Sequence, residues 1–270
     1  MPSLIKQKDF RAVAKLPFCY VCGETFTPED ATDRDHVPPQ AMFATEDRSP
    51  PLILRTHTKC NGSRSLVDKQ TIQLIGLKRR VFPTSERDEA LKFEKFNHVN
   101  SPFGATAVTN LNVDEAVARW ITGFHAALYQ EHLTNPSYNI QTPFPRADHD
   151  PHSATLRMMF RPIEQIHLNA IKVIKLNRAF NNLDRIVANN DKLRYECVWV
   201  KDDQGTRWWC MFALDIYDWK DLGSSTQDLP PRGCVGYYHA EDGSLPSTAT
   251  REHKSTILVP NLEPYDPFGS

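Results

Sequence analysis

The chain has 270 residues, 40 % of them apolar and 24 % charged, with a formal net charge of -1 at neutral pH. That length is generous for one compact core and suits two modules. No stretch approaches the ~20 apolar residues of a membrane span, and "MPSLIKQKDFRAVAKL" has no apolar signal-peptide core, so a cytoplasmic protein without membrane association is expected.

The charge is unevenly spread. Residues 1–80 carry 13 basic against 9 acidic side chains, so +4, and the remaining 190 carry 19 against 24, so -5. Within 55–80, seven basic residues (Arg55, Lys59, Arg64, Lys69, Lys78, Arg79, Arg80) face one acid, Asp68. Such a segment suits a polyanion, because each neutralised phosphate releases counterions. A solvated basic helix face is the other reading.

In chain order, residues 1–16 form a short amphipathic lead-in with Phe10, Val13 and Leu16 apolar. Residues 17–63 are rich in turns and too weakly apolar to fold on burial alone, which calls for another device such as a metal. From Leu66 a helical pattern begins, with Val67, Thr71, Leu74, Ile75 and Lys78 at helical spacing. A second helix is predicted over 113–133, "VDEAVARWITGFHAALYQEHL", capped by Asn112 with Glu115 at the capping-box position. Val117, Ile121, Phe124 and Leu128 line its core face, and His125 and His132 read as surface or satisfied core residues.

Pro136, Pro143, Pro145, Pro151 and Pro162 predict a long loop over 136–162. The stretch 164–190 reads as one or two helices. Two aromatic, β-rich runs around Asp202-Asp203-Gln204-Gly205 predict a hairpin, and "STILVP" over 255–260 a further strand. Trp199, Trp208, Trp209 and Trp219 read as sheet packing, with base stacking as the alternative.

Six cysteines in a cytosolic chain argue against a disulfide framework. Cys197, Cys210 and Cys234 lie among apolar residues and read as small core hydrophobes. Cys19-x-x-Cys22 and His57-x-x-Cys60 are two ligand pairs. Three thiolates and one imidazole satisfy tetrahedral zinc, and Gly23 permits the tight turn that faces both sulfurs to one ion. The alternative is free thiols and a surface histidine.

Between these pairs lies Asp35-His36, in "RDHVPPQAMF", and directly after the second pair comes Asn61. C-x-x-C, then D-H-V-x-P, then a second knuckle running into Asn resembles the HNH (ββα-metal, His-Me finger) endonucleases. In layout it is similar to their endonuclease VII-like zinc-containing members. The resemblance covers about residues 17–80.

It implies that Asp35 and Asn61 hold a catalytic divalent ion, Mg²⁺ or Mn²⁺, and that His36 is the general base for the attacking water. Arg64, Lys59 and Lys69 are the candidate substrate-binding residues, Arg64 also reading as an ordinary surface arginine. Asp68 is a further ligand or a salt-bridge partner. Asp35 and His36, adjacent on a strand, point to opposite sides, so a strand end or bend is needed to bring both to one phosphate. Pro38 and Pro39 fit such an end.

The expected fold is α+β: a zinc-stabilised ββα-metal (HNH) module over 1–82, then a mixed helical and antiparallel-sheet domain over 83–270 that sets substrate or partner. The expected function is a metal-dependent HNH endonuclease acting on DNA, with RNA left open; the alternative is a catalytically silent, zinc-stabilised nucleic-acid-binding protein. One such centre cuts one strand, so double-strand cleavage implies a homodimer or two sequential nicks.

Overall fold

The computed structural model describes residues 2–62, 67–72, 92–96, 103–111, 113–133, 137–141, 165–201, 207–216, 234–239 and 255–264. Helices and sheets are mixed, as the α+β expectation requires. Arg64, Asn112, the turn at 202–205, the prolines from 143 to 162 and Trp219 lie outside the described residues.

The chain opens with β1 (Ser3–Leu4) and α1 (Gln7–Val13). The Asp9 carboxylate accepts from the backbone N–H groups of Lys6 at 2.9 Å and Ile5 at 3.2 Å, which satisfies free amides at the helix start. Phe10, Val13 and Leu16 are all buried, as their spacing predicts. A hairpin follows, β2 (Thr32–His36) against β3 (Ile53–His57), and α2 (Thr58–Gly62) leaves β3 without a linker. Residues 67–72 are helical.

Strands β4 (Lys92–Phe96), β5 (Phe103–Leu111) and β11 (Ser255–Pro264) form a three-stranded antiparallel sheet in the order β11-β5-β4. The main sheet has six strands in the order β1-β7-β8-β9-β10-β6. Its members are β6 (Ser137–Gln141), β7 (Asp184–Ala188), β8 (Leu193–Lys201), β9 (Arg207–Ile216), β10 (Cys234–His239) and β1. β1 joins parallel to β7 and the remaining pairs are antiparallel. The predicted hairpin is β8–β9, with Leu193 opposite Ile216 and Lys201 opposite Arg207.

Alternation along β9 explains its nearly unbroken apolar sequence. Cys210, Phe212, Leu214 and Ile216 enter the large core, while Met211 and Ala213 face α4 (Gln165–Ala179) with Ala170, Ile171 and Ile174. Side chains alternate on a strand, so a strand covered on both faces is apolar at every position.

On the other face of the sheet lies α3 (Val113–Tyr129). Every residue from Ala116 to Ile121 and from Gly123 to Leu128 is buried, because the helix is wedged between the sheet and the hairpin. Phe124 meets Tyr195 of β8 with ring centroids 4.7 Å apart. On the hairpin side, a β-carbon on Gly123 would stand 2.8 Å from Val37 Cγ1. Glycine is required there for the helix to approach so closely.

One apolar cluster therefore holds Tyr20, Val37, Met42, Phe43, Leu52 and Leu54 together with α3 and the sheet residues Ile186, Tyr195 and Phe212. The segment 17–63 gains a core by sharing one with later parts of the chain, across the 82/83 boundary read from sequence. Backbone bonds from Asn189 to Pro50 (2.9 Å) and from Asn190 to Ser49 (2.8 Å) tie the loop after the hairpin's first strand to the β7–β8 turn.

Two expectations differ from the structure. Residues 184–188 form β7, because α4 ends at Ala179 and Asn181 turns the chain with φ 52°. Residues 137–141 form β6 at the sheet edge, within the stretch read as loop.

Candidate functional site

The two knuckles close on one another. Gly23 N–H donates to the Cys19 carbonyl at 2.8 Å and Cys19 N–H to the Glu24 carbonyl at 2.9 Å, with Gly23 at φ +80°. His57 ends β3, and the single turn of α2 carries Cys60 back beside it. The ligand atoms of Cys19, Cys22, His57 and Cys60 all lie within 4.8 Å of one another. This Cys₃His group could hold a metal ion such as zinc.

The histidine is oriented for the role. His57 Nδ1 lies 3.4 Å from Cys22 Sγ, and Nε2 lies 3.6 Å from Asp30 Oδ2. A carboxylate behind the distal ring nitrogen is the usual support for a metal-binding histidine. Phe26 packs edge-on to the His57 ring, and the Arg55 guanidinium lies 4.2 Å above Phe26.

The thiols differ in acidity. Burial opposes ionisation of Cys19, but the Thr56 hydroxyl and the N–H groups of His57, Cys22 and Val21 outweigh it and lower its pKa to about 6. Burial raises Cys22 to about 12, aided by the neighbouring Cys19. Cys60 is raised by burial and by the charge on Cys19.

The second cluster lies under the hairpin. Asp35 points inward from β2 and is buried. Its Oδ2 accepts from the Tyr20 hydroxyl and from Arg119 Nη2. The same Nη2 donates to Asn61 Oδ1 at 3.3 Å, Nη1 to Asp68 Oδ2 at 2.9 Å, and Nε to the Tyr20 hydroxyl at 3.2 Å. Cys60 and Asn61 are neighbours on α2, about 100° apart around its axis, so one serves each cluster.

Burial disfavours the charge on Arg119, yet Tyr20, Asp35 and Asp68 outweigh that cost and raise its pKa above the usual arginine value. Burial raises Tyr20 well above the usual phenol value, so its hydroxyl stays a donor.

Asp35 and Asn61 are thus brought together, as their assignment to one ion requires, and their oxygens converge on one position. Arg119 Nη2 holds that position. In this arrangement the pair fits a guanidinium, and a divalent ion and Nη2 cannot both take the same two oxygens. Asp68 is an ion-pair partner of Arg119.

His36 ends β2 and keeps the strand alternation: Asp35 faces the core and His36 the outer face, half-buried. Its ring makes no hydrogen bond among the described residues. Burial lowers its pKa, with Arg34 and Arg48 adding to the effect and Asp35 opposing it. Arg34 shares the outer face two residues earlier and sits opposite Arg55 in the β2–β3 register. No carboxylate forms an ion pair with Arg34, Arg48 or Arg55 among the described residues.

Of the predicted substrate-binding residues, Lys69 is exposed, and Lys59, also exposed, pairs with Glu24 at 3.6 Å. Tyr20, Arg119 and Arg34 are not among the site residues that the sequence motifs mark. Arg119 had a signal, being the one charged side chain on α3 after Glu115 in an otherwise apolar run.

His125 is buried and hydrogen-bonded to Glu131 at 3.1 Å, a satisfied core histidine. Trp199 donates to the Tyr129 hydroxyl at 2.8 Å and packs beside His125, a sheet-packing role. Cys197 and Cys210 are fully buried. Among the described residues no helix is long and apolar enough to cross a membrane. No protein-family model, no curated protein and no solved structure matches the chain.

Proposed function

We propose that the chain is a zinc-stabilised endonuclease of the HNH type that hydrolyses phosphodiester bonds in DNA, with His36 taking the proton from the attacking water. The observation that carries this reading is the face on which His36 stands. A half-buried imidazole with an unengaged ring sits beside Arg34, with Arg55 directly opposite across the hairpin. Like charges placed opposite one another on a sheet cost stability. An anion between them removes that cost, and a phosphodiester is an anion that arginine grips with paired donors.

The chemistry follows from those residues. A neutral imidazole near pH 7 accepts a proton from water, and burial keeps His36 neutral to lower pH than an exposed histidine. Water adds to phosphorus as the bond to the leaving oxygen breaks, and Arg34 and Arg55 hold the phosphate and offset the negative charge that builds on its oxygens. Zinc at Cys19, Cys22, His57 and Cys60 fixes α2 against the hairpin and so fixes Asn61 and Asp35 relative to one another.

The ββα order of hairpin and α2 and the spacing of the two ligand pairs support the family reading. The Mg²⁺ or Mn²⁺ that the resemblance gives to Asp35 and Asn61 meets Arg119 there instead. This supports a second reading, a nucleic-acid-binding protein that does not cut. Nicking of supercoiled plasmid with Mg²⁺ or Mn²⁺, beside a gel shift on the same DNA, separates the two. Nicked circles support the nuclease; a shift without nicking under any ion supports the binding protein.

A further inference from the structure

We infer that Arg119 sets whether the Asp35–Asn61 centre holds a divalent ion: its guanidinium and the ion compete for Asp35 Oδ2 and Asn61 Oδ1. The inference deepens the proposed function but is tested by binding, so the two can fail separately.

The geometry makes the competition direct. Nη2 bonds to both oxygens at once, and Tyr20 donates to the same Asp35 oxygen. A hard divalent ion binds oxygen lone pairs at about 2.0–2.1 Å and demands near-octahedral access, which a guanidinium seated on the same oxygens denies. Two cations sharing one carboxylate oxygen also repel one another.

The seating of Arg119 is built into the fold. It stands one helical turn before Gly123, where α3 presses closest to the hairpin. Its side chain is 5 % exposed. Asp68 holds Nη1 separately from the Asp35–Asn61 contact, so the guanidinium keeps an ion-pair partner when Nη2 leaves. The site thus gathers three carboxylate or amide oxygens, from Asp35, Asn61 and Asp68, around one internal cation.

The test is Mn²⁺ binding to zinc-loaded, full-length protein, followed by electron paramagnetic resonance of the free ion. Arg119→Met keeps an apolar stem and removes the competitor. We expect it to bind Mn²⁺ at least about fivefold more tightly than the wild type, the lower end of measured coupling between sites. Adding Asp35→Asn must erase the gain. Equal or weaker binding by Arg119→Met, or a gain that survives Asp35→Asn, overturns the inference.

Should Arg119→Met not fold, the wild type itself answers. The Arg119 Nε–H resonance, assigned with Arg119→Lys, must shift as Mg²⁺ is added; a resonance unmoved at 20-fold or greater excess, on the order that saturates a millimolar site, overturns the inference. If Arg119→Met gains Mn²⁺ yet nicks no plasmid, the nuclease reading fails and the competition stands. If it nicks with an unchanged Mn²⁺ requirement, the competition fails.

Discussion

Arg119 of α3 and Asp35 of β2 form a buried ion pair between residues 84 apart in sequence. Neither charge is tolerable there alone, since a buried ion without its partner keeps the full cost of leaving water. Arg119→Met therefore destabilises the protein by about 3–5 kcal/mol, and the double change with Asp35→Asn by less than the two single changes together. Denaturant unfolding of the four proteins measures this. Additive losses would mean that the pair does not interact.

Gly123→Ala sets two effects against each other. Alanine favours a helix over glycine by about 1 kcal/mol. The new methyl, however, falls 2.8 Å from Val37 Cγ1 and 3.3 Å from Leu54 Cδ1 and Tyr20 Cε2, with all three neighbours fixed in the core. Overpacking of that kind costs about 1–3 kcal/mol, so a net loss follows. A melting temperature equal to or above the wild type would show that α3 can move off the hairpin without cost.

Zinc uptake by metal-free protein should release about two protons near pH 7.5, because Cys22 and Cys60 enter as thiols and Cys19 as a thiolate. Calorimetry in buffers of different ionisation heat counts them. The sign for the metal-free fold follows from the same lowering of Cys19. Stability from this group is present in full above the free-thiol range and is lost as pH falls through about 6. Release of three protons would place Cys19 with the other two.

His36 should titrate below the reference value of roughly 6.5, because burial lowers its pKa and Arg34 and Arg48 lower it further. A lowered histidine contributes stability that is complete above that reference and is lost as pH falls below it. Arg34→Ala should move the His36 midpoint upward in a proton NMR titration. An unchanged midpoint would separate Arg34 from His36 and weaken the phosphate-binding face.

Much of this arrangement was legible in the residues. Cys19, Cys22, His57 and Cys60 announce themselves by spacing, because a knuckle is local and its geometry is written in three or four positions. Phe10, Val13 and Leu16, and the runs of β8 and β9, follow from periodicity for the same reason. Tyr20 and Arg119 did not show, since their meaning depends on contacts 84 and 99 residues away in the chain. β7 escaped because "LDRIVA" carries no helical or strand period long enough to outweigh the helix preceding it. The segment 17–63 looked short of apolar residues because α3 and the main sheet complete its core.

The proposed role of His36 as the general base of phosphodiester cleavage is open to a direct test. The measurement is the initial rate of plasmid nicking, wild type beside His36→Ala, with both proteins shown to be folded, zinc-loaded and equally able to bind DNA. Nicking by the wild type and a loss of about 10²–10⁴-fold in the variant, the range for removing a general base, are expected. Nicking that persists undiminished in His36→Ala would contradict that role.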